Sequence, residues 1–204
     1  MQIQPRIYLA SKSPRRRELL TQIGVHFDLL LFRSAPREDA ETDEAPLPDE
    51  APLDYACRVA GAKARHGSRI VAVRKLAPRP LLAADTTLDV DGEIIGKPRD
   101  EADASAILHR LAGRTHKVIT AIALAHGERF ECVASVSEVR FRELSTEEIR
   151  RYVVSNEPMD KAGAYGIQGR AAMFVEEIRG SHSGIVGLPL CETTLLLRKF
   201  GYPI

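Results

Sequence analysis

The order of apolar and polar residues predicts a strand, a helix and a second strand at the start of the chain. "RIYLAS", residues 6–11, is an apolar run that ends in small polar residues, as buried strands often do. Ser13 suits a helix N-cap, Pro14 suits the first helical turn, and Gly24 suits the end of that helix. The apolar run "VHFDLLLF" that follows predicts the second strand.

Residues 34–52 break this pattern and predict a long loop. They are rich in proline, alanine and acidic residues, and they carry almost no large apolar side chains. Residues 52–67 begin with proline and end with glycine, and alanines recur between them at helical spacing. We therefore expect a helix over residues 52–67, with Lys63 near a different face from the alanines.

The middle of the chain predicts paired strands around one helix. Residues 80–100 indicate a buried strand, a polar break, a hairpin around Asp91-Gly92 and a loop. Residues 101–113 form an amphipathic pattern that ends in glycine, which predicts a helix. Residues 115–144 predict two long strands joined at His126-Gly127, and strands joined so closely are antiparallel.

The last part of the chain mixes helices with a strand and completes the fold prediction. Ser145 and Glu148 match a capping box, which predicts a helix start. A glycine-spaced segment follows at residues 160–169, then a strand over residues 172–178 and a final helix near the C-terminus. No internal repeat is present. The sequence thus predicts one α/β or α+β domain over residues 1–204, built around a mixed sheet.

Composition narrows the classes of protein that this chain can belong to. The 204 residues carry a formal net charge of +1, so we expect neither nucleic acid nor a membrane surface as a partner, because both require a broad basic field. No signal peptide or membrane-spanning run is visible. The 3 cysteines lack metal-ligand and disulfide spacing, and we expect them to be small core residues. These features predict a soluble, cytoplasmic protein.

"LASKSPRRRELL", residues 9–20, places arginines in the first turn of the predicted helix. A helix N-terminus carries partial positive charge and unpaired N–H groups, so acids stabilise it and arginines do not. A bound anion would make the arginines favourable at this helix end. The backbone N–H groups, the hydroxyls of Ser11 or Ser13 and the arginine guanidinium groups would all contact it. The segment therefore predicts a phosphate site that includes Arg15 and Arg16. The alternative is a solvated basic face.

Three further groups are candidates for chemistry. Asp85 ends an apolar run, where a carboxylate can hold Mg²⁺ or Mn²⁺ or activate a water; the alternative is a turn residue. Lys63 and Lys97 can neutralise a polyphosphate or can be surface charges. The three glycines of "DKAGAYGIQG", residues 160–169, allow close backbone approach, and Gln168 can read a base edge; the alternative is a bent strand with bulges.

Six segments occur in an order that is specific to one family, although none of them is decisive alone. They are "LASKSPRRRELL", "YACRVAGAKA", "AADTTLDVDGEIIGKPRD", "LAGRTHKVITAIAL", "EPMDKAGAYGIQG" and "VGLPLCET". Together they span nearly the whole chain and resemble the Maf family of nucleoside triphosphate pyrophosphatases. "DKAGAYGIQG" resembles the branch that acts on dTTP and UTP rather than the branch that acts on 7-methyl-GTP.

The resemblance implies a fold and a reaction. The fold is an elongated mixed β-sheet flanked by helices, with two lobes around a central cleft, as in Maf and ITPase proteins, and often a homodimer. In the reaction, water attacks the α-phosphorus of a nucleoside triphosphate, with a divalent cation, Mg²⁺ or Mn²⁺, as cofactor. The products are the nucleoside monophosphate and pyrophosphate.

The resemblance also implies roles for individual residues. Asp85 matches the proton acceptor. Arg15, Thr86 and Gln168 match positions for substrate specificity, and Ser11, Arg16, Lys63 and Lys97 match polar positions around the phosphates. The family carries an acidic residue after its second strand, and Glu38 or Asp39 is the candidate here, which would join Asp85 at the metal.

Two other functions are compatible with the same residues. One is the same hydrolysis of modified nucleotides or 7-methyl-GTP. The other is a non-catalytic nucleotide-binding regulator, because related proteins have been linked to septum formation. A dinucleotide-dependent oxidoreductase is excluded, since no G-x-G-x-x-G follows the first strand.

Overall fold

A computed structural model describes residues 5–32 and 44–204. The strands are β1 (Ile7–Leu9), β2 (Phe27–Leu29), β3 (Leu81–Val90), β4 (Glu93–Ile95), β5 (Thr115–His126), β6 (Arg129–Phe141) and β7 (Val175–Arg179). The helices are α1 (Pro14–Gln22), α2 (Pro52–Val73), α3 (Glu101–Leu111), α4 (Thr146–Val153), α5 (His182–Val186) and α6 (Leu190–Lys199). Three short 3₁₀ segments lie between α4 and β7.

The strands form one mixed sheet in the order β2-β1-β3-β5-β6-β7, with β4 added to β3. The pairs β1–β2 and β1–β3 are parallel, and all the others are antiparallel. The mixed α/β fold expected from the sequence is therefore confirmed, including the antiparallel pair β5–β6.

One edge of β3 is interrupted, and this interruption positions the site. β5 covers one edge of β3 along Leu81–Asp89. The other edge is shared by β1, which pairs only with Leu81 and Leu82, and β4, which pairs only with Leu88–Val90. The residues of β3 between these two partners therefore face a gap in the sheet.

Helices cover both faces of the sheet, and β3 supplies the core on each side. Because side chains alternate along a strand, Leu82 and Ala84 pack with α1 and α6, whereas Leu81 and Ala83 pack with α2. A third apolar cluster surrounds Leu88, α3, α4 and β7 beyond the gap. Residues from both sides of the gap line one cleft.

The structure corrects the predicted end of α2. We expected the helix to end at Gly67, but it continues to Val73. A Cβ atom at Gly67 would lie 2.7 Å from Cδ1 of Leu81, so glycine at this position lets the helix approach β3 closely. The glycine is present for packing and not for a helix stop.

The predicted polar break after the apolar run at Asp85 is also wrong. Asp85, Thr86 and Thr87 continue β3, because β5 pairs with each of them and supplies the hydrogen bonds of a regular strand. The hairpin at Asp91-Gly92 is confirmed: both residues have positive φ, 56° and 85°, as a tight primed turn requires.

Other expectations near the chain ends need smaller corrections. β2 covers three residues of the predicted 25–32, and β7 begins at Val175 because the preceding residues form a 3₁₀ turn. Ser13 has the extended backbone of an N-cap, but its side chain makes no capping hydrogen bond. The capping box of Ser145 and Glu148 is confirmed.

The expectation that the cysteines are small core residues is confirmed for Cys57 and Cys132, which pack against the apolar cluster around α2, and is wrong for Cys191. Cys57 and Cys132 are half-buried and Cys191 is exposed, and all three are free thiols. Among the described residues, no helix combines the length and apolar character that crossing a membrane requires.

Burial of His116 generates a prediction about acid stability. Its ring is 3% exposed, contacts Phe141 and Tyr165, and has its Nε2 2.8 Å from the Tyr165 hydroxyl. Burial lowers the pKa of His116 from 6.5 to about 4. Between these two pH values the unfolded chain binds a proton that the folded chain does not. The free energy of unfolding is therefore expected to fall as the pH is lowered, by roughly 2 kcal/mol between pH 7 and pH 5.

Urea unfolding at pH 7, 6 and 5 measures this dependence. His116→Gln is expected to remove most of the slope, whereas the matched control His109→Gln, at an exposed position, is expected to keep it. Equal slopes in the wild type and in His116→Gln would contradict the assignment.

Candidate active site

The gap beside β3 opens into a cleft of about 970 Å³, at the upper end of the range for small-ligand sites. Its walls come from both sides of the sheet interruption. The basic side chains that line it are Lys12, Arg15, Arg16, Lys63, Lys97 and Lys161, and the carboxylates that line it are Glu44, Asp85 and Asp160. This excess of positive charge favours an anionic ligand.

Asp85 lies in the cleft wall, paired with Lys63. The residue is 7% exposed, and its Oδ1 accepts a hydrogen bond from the Lys63 Nζ at 2.8 Å. The same Nζ lies 3.0 Å from Oε1 of Glu44, so one lysine bridges two carboxylates. α2 supplies Lys63, and its small buried residues Ala60 and Ala64 let the helix lie close to β3.

Arg16 connects the helix α1 to the open edge of β3. Its NH1 donates to the Ala84 carbonyl at 2.9 Å and to the Ser11 Oγ at 3.3 Å. Its Nε donates to the Gly187 carbonyl at 2.8 Å, and its NH2 donates to the Thr86 Oγ1 at 3.2 Å. Four of the five N–H groups of a guanidinium are thus used within the protein. Burial lowers the pKa of Arg16, and the nearby charge of Asp85 opposes this shift.

The Ser11 hydroxyl is left with its hydrogen available. Both of its recorded hydrogen bonds are accepted ones, from the Arg16 guanidinium and from the Ser13 backbone N–H at 3.2 Å. A hydroxyl that accepts two bonds keeps its own hydrogen to donate. Ser11 can therefore donate to an anion at the start of α1.

Arg15 and Lys161 meet at one carboxylate on the rim. The Asp160 side chain lies 3.2 Å from Arg15 NH1 and 2.6 Å from Lys161 Nζ. Burial alone would raise the pKa of Asp160, but the hydrogen bonds and charges of Lys161 and Arg15 outweigh it and hold this pKa below its ordinary value. Asp160 thus orients two cations toward the cleft.

Lys97 and Gln168 line the cleft from two loops that are joined through their backbones. The Gly163 N–H donates to the Gly96 carbonyl at 2.9 Å. Gly163 has φ of 72°, and a Cβ there would overlap the Leu88 side chain, so only glycine fits this crossing. Lys97 and Gln168 are both exposed and accessible to a ligand.

The structure brings the sequence-predicted residues to one cleft. All eight described candidates line it: Ser11, Arg15, Arg16, Lys63, Asp85, Thr86, Lys97 and Gln168. Glu38 and Asp39, the candidates for the second acid, lie outside the described residues. Sequence reasoning missed Glu44, Asp160 and Lys161. Glu44 lies in the acidic loop before α2, and Asp160 and Lys161 open the quoted glycine-rich segment, so each stood next to a recognised pattern.

The donor set fits a hard divalent cation in part. The Asp85 Oδ1 lies 2.8 Å and the Glu44 Oε1 lies 3.0 Å from the same Lys63 Nζ. The two carboxylate oxygens are therefore within two hydrogen-bond lengths of each other. Carboxylate oxygens are the ligands that Mg²⁺ and Mn²⁺ prefer, and Mg²⁺ usually takes one or two of them together with substrate phosphates. No group of three or more His, Cys, Asp or Glu side chains suited to a metal occurs within residues 5–32 and 44–204.

Fold and site together define an α/β protein whose basic cleft, suited to an anionic ligand, surrounds a lysine-paired carboxylate. Comparison with known proteins names the family: the profile described as Maf-like protein matches residues 6–200. The chain belongs to this family.

Close relatives share one name. A dTTP/UTP pyrophosphatase of Dechloromonas aromatica (strain RCB) is 61% identical over 197 residues, which cover 97% of this chain and 98% of that protein. The dTTP/UTP pyrophosphatase of Aromatoleum aromaticum (strain DSM 19018 / LMG 30748 / EbN1) is also 61% identical, over 99% of this chain and 98% of that protein. The solved structure of a HAM1 protein from Coxiella burnetii aligns with 96% of this chain over 100% of its own, with 16% identity and a TM-score of 0.47.

The hydrogen bonds of Arg16 generate a stability prediction. Arg16→Lys keeps the positive charge but cannot reproduce four bonds in fixed directions. We expect it to lower the free energy of unfolding by about 1–3 kcal/mol, because buried carbonyls lose their partner.

The matched control is Arg15→Lys. Arg15 makes one recorded ion pair, to the exposed carboxylate of Asp160, and surface pairs contribute about 0–1 kcal/mol. Urea denaturation of the three proteins compares them. Equal losses in both variants would show that Arg16 does not organise the site.

Proposed function

We propose that this protein hydrolyses nucleoside triphosphates, preferably dTTP and UTP, to the nucleoside monophosphate and pyrophosphate. The observation that carries the proposal is the Asp85–Lys63 pair in a cleft with an excess of basic side chains. A carboxylate that can accept a proton, placed beside cations that offset negative charge, suits water attack on a phosphoanhydride. Membership of the family and the shared name of relatives at up to 61% identity support the choice of substrate.

Asp85 acts on the attacking water in this proposal. Its carboxylate orients the water and accepts a proton as the oxygen bonds to the α-phosphorus. The bond from the α-phosphorus to the bridging oxygen breaks, and the electron pair leaves with pyrophosphate. Lys63 fixes the direction of the carboxylate through the 2.8 Å hydrogen bond, so the base is oriented before substrate arrives.

The remaining cleft residues bind the phosphates. Ser11 donates its hydroxyl hydrogen, Lys97 adds positive charge from the loop after β4, and Arg15 adds positive charge from the first turn of α1. Arg16 contributes charge and holds the wall in shape, since most of its N–H groups are already used. These groups offset the negative charge that builds up on pyrophosphate as the bond breaks.

A divalent cation, Mg²⁺ or Mn²⁺, is the proposed cofactor. Asp85 and Glu44 would hold it together with phosphate oxygens, with Glu44 taking the role that the sequence had left to Glu38 or Asp39. When bound, such an ion neutralises phosphate charge and polarises the phosphorus toward attack.

Base choice is proposed to rest on Gln168 and Thr86. The exposed amide of Gln168 offers both a donor and an acceptor, and Thr86 lines the same cleft. A site that hydrogen-bonds a base strongly rejects a base that leaves those groups unpaired.

We also propose that the protein is a cytoplasmic homodimer. The dimer rests on the family resemblance. The three free thiols support a reducing compartment such as the cytoplasm, where cysteines stay unpaired.

A substrate panel tests the reaction. With Mg²⁺ or Mn²⁺, we expect pyrophosphate and not orthophosphate from dTTP and UTP, and much slower release from CTP, GTP and 7-methyl-GTP. Asp85→Asn keeps the side-chain shape but removes the base, and we expect a loss of kcat of about a hundredfold or more.

Asp89→Asn is the matched control, since Asp89 lies on the same strand away from the cleft lining and pairs with Lys117. It is expected to keep its activity. If folded wild-type protein hydrolyses none of these nucleotides, the proposed enzymatic function is wrong, and a nucleotide-binding regulator is favoured instead. Preferred turnover of 7-methyl-GTP would reassign the branch.

Binding of Mn²⁺ tests the cofactor without an activity assay. Titration followed by electron paramagnetic resonance should give a Kd at least about tenfold weaker in Glu44→Gln and Asp85→Asn than in wild type, because each loses a carboxylate ligand. Asp89→Asn should bind like wild type. Unchanged affinity in Glu44→Gln would remove Glu44 from the metal site.

A further inference from the structure

A pair of threonines links the cleft wall to the interior of the sheet. Thr86 on β3 and Thr120 on β5 are directly opposite in the antiparallel register, and their Oγ1 atoms are 2.9 Å apart. Thr86 lines the cleft, whereas Thr120 is 0% exposed. A ligand can therefore contact Thr86 but not Thr120.

The direction of the hydrogen bond between the two threonines follows from its neighbours. The Thr120 Oγ1 lies 2.8 Å from the Gly184 carbonyl, which has no hydrogen, so Thr120 donates there. A hydroxyl has one hydrogen, so Thr120 can only accept from Thr86. The hydrogen of Thr86 is thus used inside the protein.

The other side of Thr86 is also defined. Its Oγ1 accepts from the Arg16 NH2 at 3.2 Å, which uses one of its two lone pairs. What Thr86 still offers to a ligand is one lone pair and no hydrogen. In this arrangement Thr86 is a hydrogen-bond acceptor only.

The bonds form a closed ring that holds this arrangement. The Gly184 carbonyl also accepts from the Gly187 N–H at 3.0 Å, so both of its lone pairs are filled. The Gly187 carbonyl in turn accepts from the Arg16 Nε at 2.8 Å. Every group in the ring has its partner, and Thr86 cannot turn its hydrogen toward the cleft without leaving its own Oγ1 and that of Thr120 2.9 Å apart with no hydrogen between them, which is costly for a buried contact.

We propose that Thr120 is a positioning residue that fixes Thr86 as an acceptor, and that this acceptor selects bases with a hydrogen on N3. The proposal rests on the proposed function and deepens it. Uracil and thymine carry a hydrogen on N3 that pairs with the free lone pair of Thr86. Cytosine has a lone pair on N3, which faces the lone pair of Thr86 and is rejected.

Thr120→Val tests the proposal, because valine matches threonine in shape and lacks the hydroxyl. Thr86 then has no acceptor for its hydrogen and can donate into the cleft. The ratio of kcat/KM for UTP to kcat/KM for CTP is expected to fall about tenfold, as for the loss of one hydrogen bond. Pyrophosphate release from UTP should persist. Thr120→Ser keeps the hydroxyl and should restore the ratio to within about twofold of wild type.

A second background separates this role from a general loss of structure. In Thr86→Val, adding Thr120→Val should leave the UTP-to-CTP ratio unchanged, since Thr120 acts through Thr86. A folded Thr120→Val with the wild-type ratio, or a further change in the Thr86→Val background, would overturn the proposal.

If Thr120→Val does not fold, a measurement on the wild-type protein tests whether Thr86 is a hydrogen-bond acceptor. Wild type should turn over the triphosphate of 3-methyluridine at least about tenfold less efficiently than UTP, because its N3 has no hydrogen. Equal efficiency would overturn the acceptor assignment. If wild type releases no pyrophosphate even from UTP, the failure belongs to the proposed function and not to the role of Thr120.

Discussion

The site depends on how the chain satisfies the open edge of β3. The Leu82 carbonyl bonds to the backbone N–H of Ala10 just after β1, and the Ala84 carbonyl, two residues further along, points to the same side where no strand remains. An unpaired buried carbonyl is costly. Arg16 meets this need with its guanidinium, and in doing so ties α1 to β3 and to the turn after α5. The sheet interruption that creates the cleft thus also brings a buried cation to its wall.

The charged groups in the cleft hold one another in place. Lys63 lies between Asp85 and Glu44, and Asp160 lies between Arg15 and Lys161. Long basic side chains lose rotamer entropy when they are ordered, and these pairs order them before any ligand arrives. The cations and the base are thus positioned in advance. The oxygens of a bound triphosphate would replace the carboxylates as partners of these cations.

Two local patterns in the sequence predict a structure that the protein does not adopt, each for a specific physical reason. A glycine within a helical pattern is ambiguous, and at Gly67 the deciding factor is the Leu81 side chain of another element. Polar residues in an apolar strand suggest a break, but Asp85 and Thr86 remain in β3 because β5 pairs with every residue from Leu81 to Asp89. Both cases are tertiary contacts that override a local preference.

The sequence by itself determined the order and type of most elements, the family and eight of the residues that line the cleft. These follow from local patterns such as the Ser145–Glu148 capping box and from short motifs, which need no partner elsewhere in the chain. Tertiary structure alone decided which groups from distant segments share hydrogen bonds. The opposition of Thr86 and Thr120, and the approach of Glu44 to Lys63, depend on strand register and helix packing between distant segments. No local pattern encodes those distances.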